Sequence, residues 1–238
     1  MSHYRAEGVV LRSFRLGEAD RVVVVATAEQ GKVRAVAKGV RRTRSRWGGR
    51  LEPLTHVAVQ CWRGRGELDT VTQAQVLHPY LGIRADLERT AKAFVLLEVA
   101  DQLVQERHPT PLVASLVGAL GVLEAEDPPL LVPAFLLRAL ALEGAAPQVA
   151  ACNECGATDQ LVAFDGPAGG VRCRAHASGR GLSGEALGLL QAVLGGQLRW
   201  ALAQPAGPAV AEVAELAGEL MEQHLDRRLR SLRTPVRP

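Results

Sequence analysis

The chain has 238 residues, a formal net charge of +3, 47% hydrophobic and 22% charged residues. That balance excludes a disordered chain, and a chain of this length buries enough of its own surface to fold without a disulfide staple. Its longest clean apolar stretch, 112–123, falls short of the roughly 18 residues a membrane span needs. Residues 1–7 have no apolar signal core, so a cytoplasmic chain is expected and membrane and secreted readings are set aside.

Residues 8–76 read as five strands. Segment 8–15 alternates imperfectly, 20–27 is β-branched and apolar, and 32–38 alternates strictly between charged or small and apolar side chains. Glu29-Gln30-Gly31 between the last two is a turn signal, which makes them a hairpin. Segments 54–62 and 67–76 form a second pair around Arg63-Gly64-Arg65-Gly66. Five short strands without intervening helices predict a small barrel of the OB type over 1–80. Phe14 is expected in the barrel core, with base stacking as its alternative use.

After Pro79 the pattern turns helical, with helices predicted at 85–107, 112–126, 130–143, 183–200 and 209–232, punctuated by proline or glycine. Ser183 starts the fourth, although Ala186 stands where a capping box would place an acid. The predicted organisation is α+β: an OB-type barrel (1–80), a helical body in two parts (81–147 and 182–238), and an inserted zinc ribbon (148–181).

That insertion carries Cys152-Asn153-Glu154-Cys155 and, 17 residues on, Cys173-Arg174-Ala175-His176. The C-x2-C-x17-C-x2-H spacing predicts two knuckles that place Cys152, Cys155, Cys173 and His176 around one tetrahedral Zn²⁺. Segments 161–164 and 169–172 are expected to supply the hairpin strands. Four protein ligands leave no open position for water, so the zinc is expected to be structural. Cys61, beside Trp62 in a predicted strand, reads as a buried core thiol.

The charge is uneven. Residues 1–80 carry +7 and residues 81–238 carry −4. From Lys32 to Arg50 there are eight basic residues and no acid: Lys32, Arg34, Lys38, Arg41, Arg42, Arg44, Arg46 and Arg50. A field of that density attracts polyanions, because each neutralised phosphate releases condensed counterions. Trp47, in the middle of this polar segment, is a candidate for stacking on exposed bases. Catalytic signatures are missing: Gly31-Lys32 is followed by Val33 rather than Ser or Thr, Gly64-x-Gly66 is not completed, and no HExxH, GxSxG or EF-hand loop occurs. No enzymatic role is expected.

Gly8-Val9-Val10-Leu11, Gly17-Glu18-Ala19-Asp20-Arg21, Thr27 through Lys32 and Ala37-Lys38-Gly39 resemble the opening of the RecO DNA repair family. The resemblance continues, in order, through Gly66-Glu67-Leu68, Cys152-Asn153-Glu154-Cys155-Gly156, Phe164 with Gly169-Gly170-Val171-Arg172-Cys173, His224-Leu225 and Leu229-Arg230-Ser231. One departure is His176, where many members carry a fourth cysteine. The resemblance implies an OB barrel, a helical body, a zinc ribbon and a nucleoid-associated cytoplasmic protein. It implies a non-enzymatic recombination mediator that binds single- and double-stranded DNA and anneals complementary strands. It further implies work with RecR and, through it, loading of RecA onto DNA coated by single-strand-binding protein, whose acidic, apolar tail the helical half would receive. Arg107, Arg138, Arg199, Arg227, Arg228 and Arg230 are candidate clamps for that tail.

Two other readings share parts of the pattern. A zinc-ribbon OB protein that binds RNA or regulates transcription or translation would have the same basic barrel and metal site. A metal-dependent nuclease would have to assemble the scattered acids Asp20, Asp69 and Asp101.

Overall fold

The computed structural model describes residues 2–41, 45, 47, 49–64 and 66–233. The chain forms two compact units, the first running through Glu126 and the second spanning Asp127–Leu232.

Unit 1 begins with five strands: β1 (Ser2–Leu16), β2 (Asp20–Thr27), β3 (Gly31–Ala37), β4 (His56–Arg63) and β5 (Asp69–His78). They close into a barrel in the order β1-β2-β3-β5-β4. All pairings are antiparallel except β3 with β5, a short parallel contact at Ala35↔Asp69 and Val36↔Thr70. The strict alternation in β3 has its structural counterpart: Val33, Ala35 and Ala37 are buried, while Lys32, Arg34 and Val36 face outward. Val10, Val23, Val25, Val57, Val59, Cys61 and Val71 complete the interior. β-Branched and small side chains suit a narrow barrel, where inward positions from every strand must interdigitate.

One irregularity in β1 matters later. Val10 pairs with Val25, but Arg12 pairs with Val24, so Leu11 is a bulge. A single extra residue reverses which face every following side chain occupies. Ser13 therefore takes the inward position opposite Val23, and Phe14 is turned outward opposite Val22. The expectation of Phe14 in the core is corrected accordingly: the ring is 39% exposed.

The predicted helix over 85–107 is α2 (Leu87–Leu103), which ends before the expected C-terminus, and a short α1 (Leu81–Ala85) that the sequence reading did not include precedes it. Asp86 separates the two: its backbone is extended and its side chain caps α2, accepting from the amides of Glu88 and Arg89. Helix α3 (Leu112–Ala125) follows, and α2 and α3 both pack against β1. Beyond α2 the chain closes over the β2–β3 turn: Lys32 N–H donates to Gln105 O at 2.9 Å and Thr110 N–H to Ala28 O at 3.2 Å. Gly31 permits this, with a φ of +63°, and a Cβ there would lie 2.3 Å from Gln105 O and 2.4 Å from His108 O.

Unit 2 contains α4 (Leu131–Leu142), a three-stranded sheet of β6 (Leu161–Asp165), β7 (Gly170–Cys173) and β8 (Arg180–Gly181), then α5 (Gly184–Leu194), α6 (Leu198–Leu202), α7 (Pro208–His224) and α8 (Arg230–Arg233). Strand order in the sheet is β7-β6-β8. The predicted helix over 183–200 divides at Gly195-Gly196, where Gly196 takes a φ of +92°. The one predicted over 209–232 ends at His224 and resumes at Arg230. Ser183 caps α5 through Ala186 N–H, and the missing acid comes from another helix: Glu212 of α7 accepts from Ser183 N–H at 3.0 Å and from its hydroxyl at 2.6 Å. Among the described residues, no helix is long and apolar enough to cross a membrane.

Candidate metal centre and nucleic-acid face

The metal centre is built on the β6–β7 hairpin. Cys152 and Cys155 lie on a tight knuckle, closed by Gly156 N–H to Cys152 O at 2.9 Å and Cys152 N–H to Ala157 O at 2.8 Å. Cys173 ends β7, and His176 sits one 3₁₀ turn later. The four ligand atoms all lie within 4.8 Å of one another. Cys155 Sγ is 3.7 Å from Cys173 Sγ, and Cys173 Sγ is 3.4 Å from His176 Nδ1. Zn–S bonds of about 2.3 Å at tetrahedral angles place two sulfurs about 3.8 Å apart, so the donor set fits such an ion.

The two knuckle thiols differ in their chemistry. Hydrogen bonds from the Cys173 backbone, then those of Cys155 and Glu154, push Cys152 down to about 6, which favours the thiolate a metal takes. At Cys155 the Ala157 backbone pulls the same way, but burial and the neighbouring Cys173 and Cys152 sulfurs outweigh it and raise the pKa.

Side chains around the ligands brace the two knuckles. Asn153 N–H donates to Val171 O at 3.0 Å and its amide to Ala168 O at 2.7 Å. Arg172 bridges Glu154 at 2.5 Å and Asp165 at 3.4 Å, and Ser178 donates to Asp165 at 2.8 Å. The hydroxyl of Ser178, then the Ala168 amide, hold Asp165 below the usual carboxylate range.

The residues proposed from sequence to meet DNA separate into groups. Lys32 and Arg34 on β3 face the region at the end of α2. Lys32 Nζ lies 3.3 Å from Asp101 Oδ1 and also donates to the Asp101 carbonyl, and Arg34 is 3.5 Å from Glu106. The exposed Arg34 pair contributes little and is readily exchanged for another anion, whereas Lys32 is mostly enclosed. Lys38, Arg41 and Arg50 are exposed. Arg42, Arg44 and Arg46 lie outside the described residues.

Trp47 is a correction. A candidate for base stacking from its place in a polar segment, it is instead 2% exposed and packed in the barrel core with Leu51 and Val40. Its Nε1 donates to Lys38 O at 2.8 Å. A buried indole with its N–H satisfied is a core residue.

The basic region extends further toward the N-terminus than the run from Lys32 suggests. Arg12, Arg15 and Arg21 sit on the β1–β2 hairpin, and Arg41 ties that hairpin to the basic segment through Gly17 O at 3.4 Å and Glu18 O at 2.8 Å. The signal was the density of arginine over 5–21, masked in sequence by the acids Glu7, Glu18 and Asp20. The scattered acids of the nuclease reading are each engaged separately. Asp20 accepts from Gly39 N–H, Asp69 from the Tyr4 hydroxyl, and Asp101 pairs with Arg12 and Lys32. Among the described residues, no second group of three potential metal ligands gathers.

Cys61 is fully buried in the barrel. Burial pushes its thiol up to about 11 and raises the Tyr4 phenol as well, the latter aided by its hydrogen bond to Asp69.

Two family descriptions match the chain: Recombination protein O N terminal over residues 1–80 and Recombination protein O C terminal over 84–233. Curated relatives titled DNA repair protein RecO include one from Nocardioides sp., 42% identical and covering 96% of this chain and 97% of its own. Another from Frankia casuarinae is 43% identical with 98% of each chain covered, and one from Bifidobacterium adolescentis is 41% identical over 98% and 99%. A solved asparaginyl-tRNA synthetase from Pyrococcus horikoshii aligns with 43% of this chain and 30% of its own at 18% identity, with a TM-score of 0.28, too low to bear on the fold.

Proposed function

The chain belongs to the RecO family, and from that premise we propose that it is a non-enzymatic recombination mediator that binds single- and double-stranded DNA and anneals complementary strands. The observation that carries this reading is the placement of an acid-free basic segment directly after β3, with Lys38, Arg41 and Arg50 exposed. The strand order supports an OB-type barrel, in which the β2–β3 face and the β1–β2 and β4–β5 connections meet oligonucleotides. Annealing requires two polyanions to approach one another. Guanidinium and ammonium groups screen that repulsion through phosphate contacts that carry no sequence information, so neither strand is locked in place.

In this reading the protein works in the cytoplasm at the nucleoid and, with RecR, helps load RecA onto DNA coated by single-strand-binding protein. Contact with that protein's acidic, apolar tail falls to unit 2. There Leu189, Trp200, Pro205, Pro208 and Val210 line a groove of about 380 Å³, and Trp200 is 52% exposed. The test is the pairing of complementary oligonucleotides, bare and precoated with single-strand-binding protein. Acceleration of pairing supports the reading; no acceleration and no affinity for polynucleotide in dilute buffer overturn it. Preference for RNA without strand pairing would favour the regulator instead.

The metal centre is proposed to hold one structural zinc on Cys152, Cys155, Cys173 and His176. A bound ion would fold the two knuckles together and supply no reaction chemistry. Titration with a thiol reagent at pH 8 is expected to find all four cysteines slow in the metal-loaded protein. Chelation is expected to release three, and Cys61 should react only on unfolding, since burial keeps it protonated at that pH. Rapid reaction of three thiols before chelation would exclude a bound metal.

A further inference from the structure

We propose that the tip of the β1–β2 hairpin is a stacking site for unpaired bases, with Phe14 as the platform. This deepens the DNA-binding reading above and rests on it. The bulge at Leu11 turns Phe14 out of the barrel, and both Phe14 (39%) and Leu16 (40%) are exposed at the tip of the hairpin. The ring is not loosely placed. Its cross-strand neighbour Val22 is buried, and the Arg12 guanidinium lies 5.7 Å from the ring centroid while anchored to Asp101 Oδ2 at 2.6 Å. An aromatic ring backed by a fixed cation is a stacking surface held in place before any ligand arrives.

On the other face of the same hairpin, Arg15 and Arg21 stand directly opposite one another. Like charges at opposed positions destabilise a strand pair unless an anion lies between or beside them. Among the described residues neither guanidinium forms a salt bridge, and Arg21 Nε is buried without a hydrogen-bond partner. The turn is also fastened to the basic segment: Arg41 N–H donates to Ala19 O at 3.0 Å, and its guanidinium reaches the carbonyls of Gly17 and Glu18. Lys38 directly follows Ala37, the β3 partner of Arg21.

An exposed ring on one face and an opposed pair of guanidiniums on the other call for a ligand with a flat π-surface and an anionic backbone within a few ångströms of it. A single strand of DNA presents both. A duplex presents only the phosphates, because its bases are already stacked inside. The hairpin tip therefore discriminates single strands from duplex, while the basic segment binds either.

Equilibrium binding of the full chain to oligodeoxythymidylate and to a blunt duplex, at matched salt, tests this. Phe14→Ala and Phe14→Leu are expected to weaken single-strand binding by about fivefold or more, the lower bound for loss of one stacked base, and to leave duplex binding unchanged. Phe14→Tyr should retain both. Leucine keeps the apolar packing of the hairpin, so its effect reads the lost ring rather than a loosened fold. Wild-type single-strand affinity in Phe14→Leu, or an equal loss on both DNAs, would overturn the proposal while leaving the basic segment's role standing. An unmodified chain that bound neither DNA would remove the parent reading and this one together.

Discussion

Replacing Arg42, Arg44, Arg46 and Arg50 together with alanine is expected to lower affinity for both single- and double-stranded DNA on the order of a hundredfold near 0.1 M salt. The slope of log affinity against log salt should fall by about 3–4, since each duplex phosphate contact contributes about 0.9 to it. Filter binding across a salt series measures both quantities. Arg41 is left in place because its guanidinium holds the carbonyls of Gly17 and Glu18, and its removal would mix a change of hairpin shape with a change of charge. Metal content should match the unmodified chain. A variant with unchanged affinity and unchanged salt slope would show that the segment takes no part in binding.

Trp47→Ala is expected to act on the opposite axis, destabilising unit 1 by about 3–5 kcal/mol, the usual cost of truncating a large aromatic in a packed core. The indole is 2% exposed and closes the barrel interior together with Leu51. Its removal opens a cavity and leaves the Lys38 carbonyl without the indole N–H. The midpoint of thermal unfolding, followed by circular dichroism, should drop on the order of 10 °C or more. Trp47→Phe, which fills most of the space and loses only the N–H, should cost about 1 kcal/mol. The outcome that contradicts this placement is a Trp47→Ala protein of normal stability that has lost only its single-strand affinity.

The contrast between Trp47 and Phe14 shows where sequence reading succeeds and where it stops. Strand β3 was legible because Lys32, Arg34 and Val36 alternate with Val33, Ala35 and Ala37, and a period of two is a local property. The metal cluster was legible because knuckle spacing and ligand type are fixed by the coordination they serve. Phe14 stands on the face opposite to the core expectation because one bulge at Leu11 reverses the register, and a bulge depends on the partner strand rather than on the residues around it. Trp47 sits among arginines and glycines, and only closure of the barrel beneath it reveals that its ring is inside. The short α1 before Asp86 and the break at Gly195 are marked only by a cap residue and a glycine pair, signals outweighed by the apolar periodicity beside them. Glu212, which completes the cap at Ser183, lies 29 residues away and leaves no local trace.

The clamp of residues 105–110 over the β2–β3 turn bears on how this protein can be divided. The N-terminal family match stops at residue 80, yet a fragment cut there would lose the acceptor for the Lys32 amide, the donor to Ala28, and Asp101, the carboxylate that neutralises both Arg12 and Lys32. Gly31 would face water where it now meets two backbone carbonyls. The boundary between the two family matches is therefore not a seam of the fold: the compact unit that holds the barrel runs on through α1, α2 and α3 to Glu126.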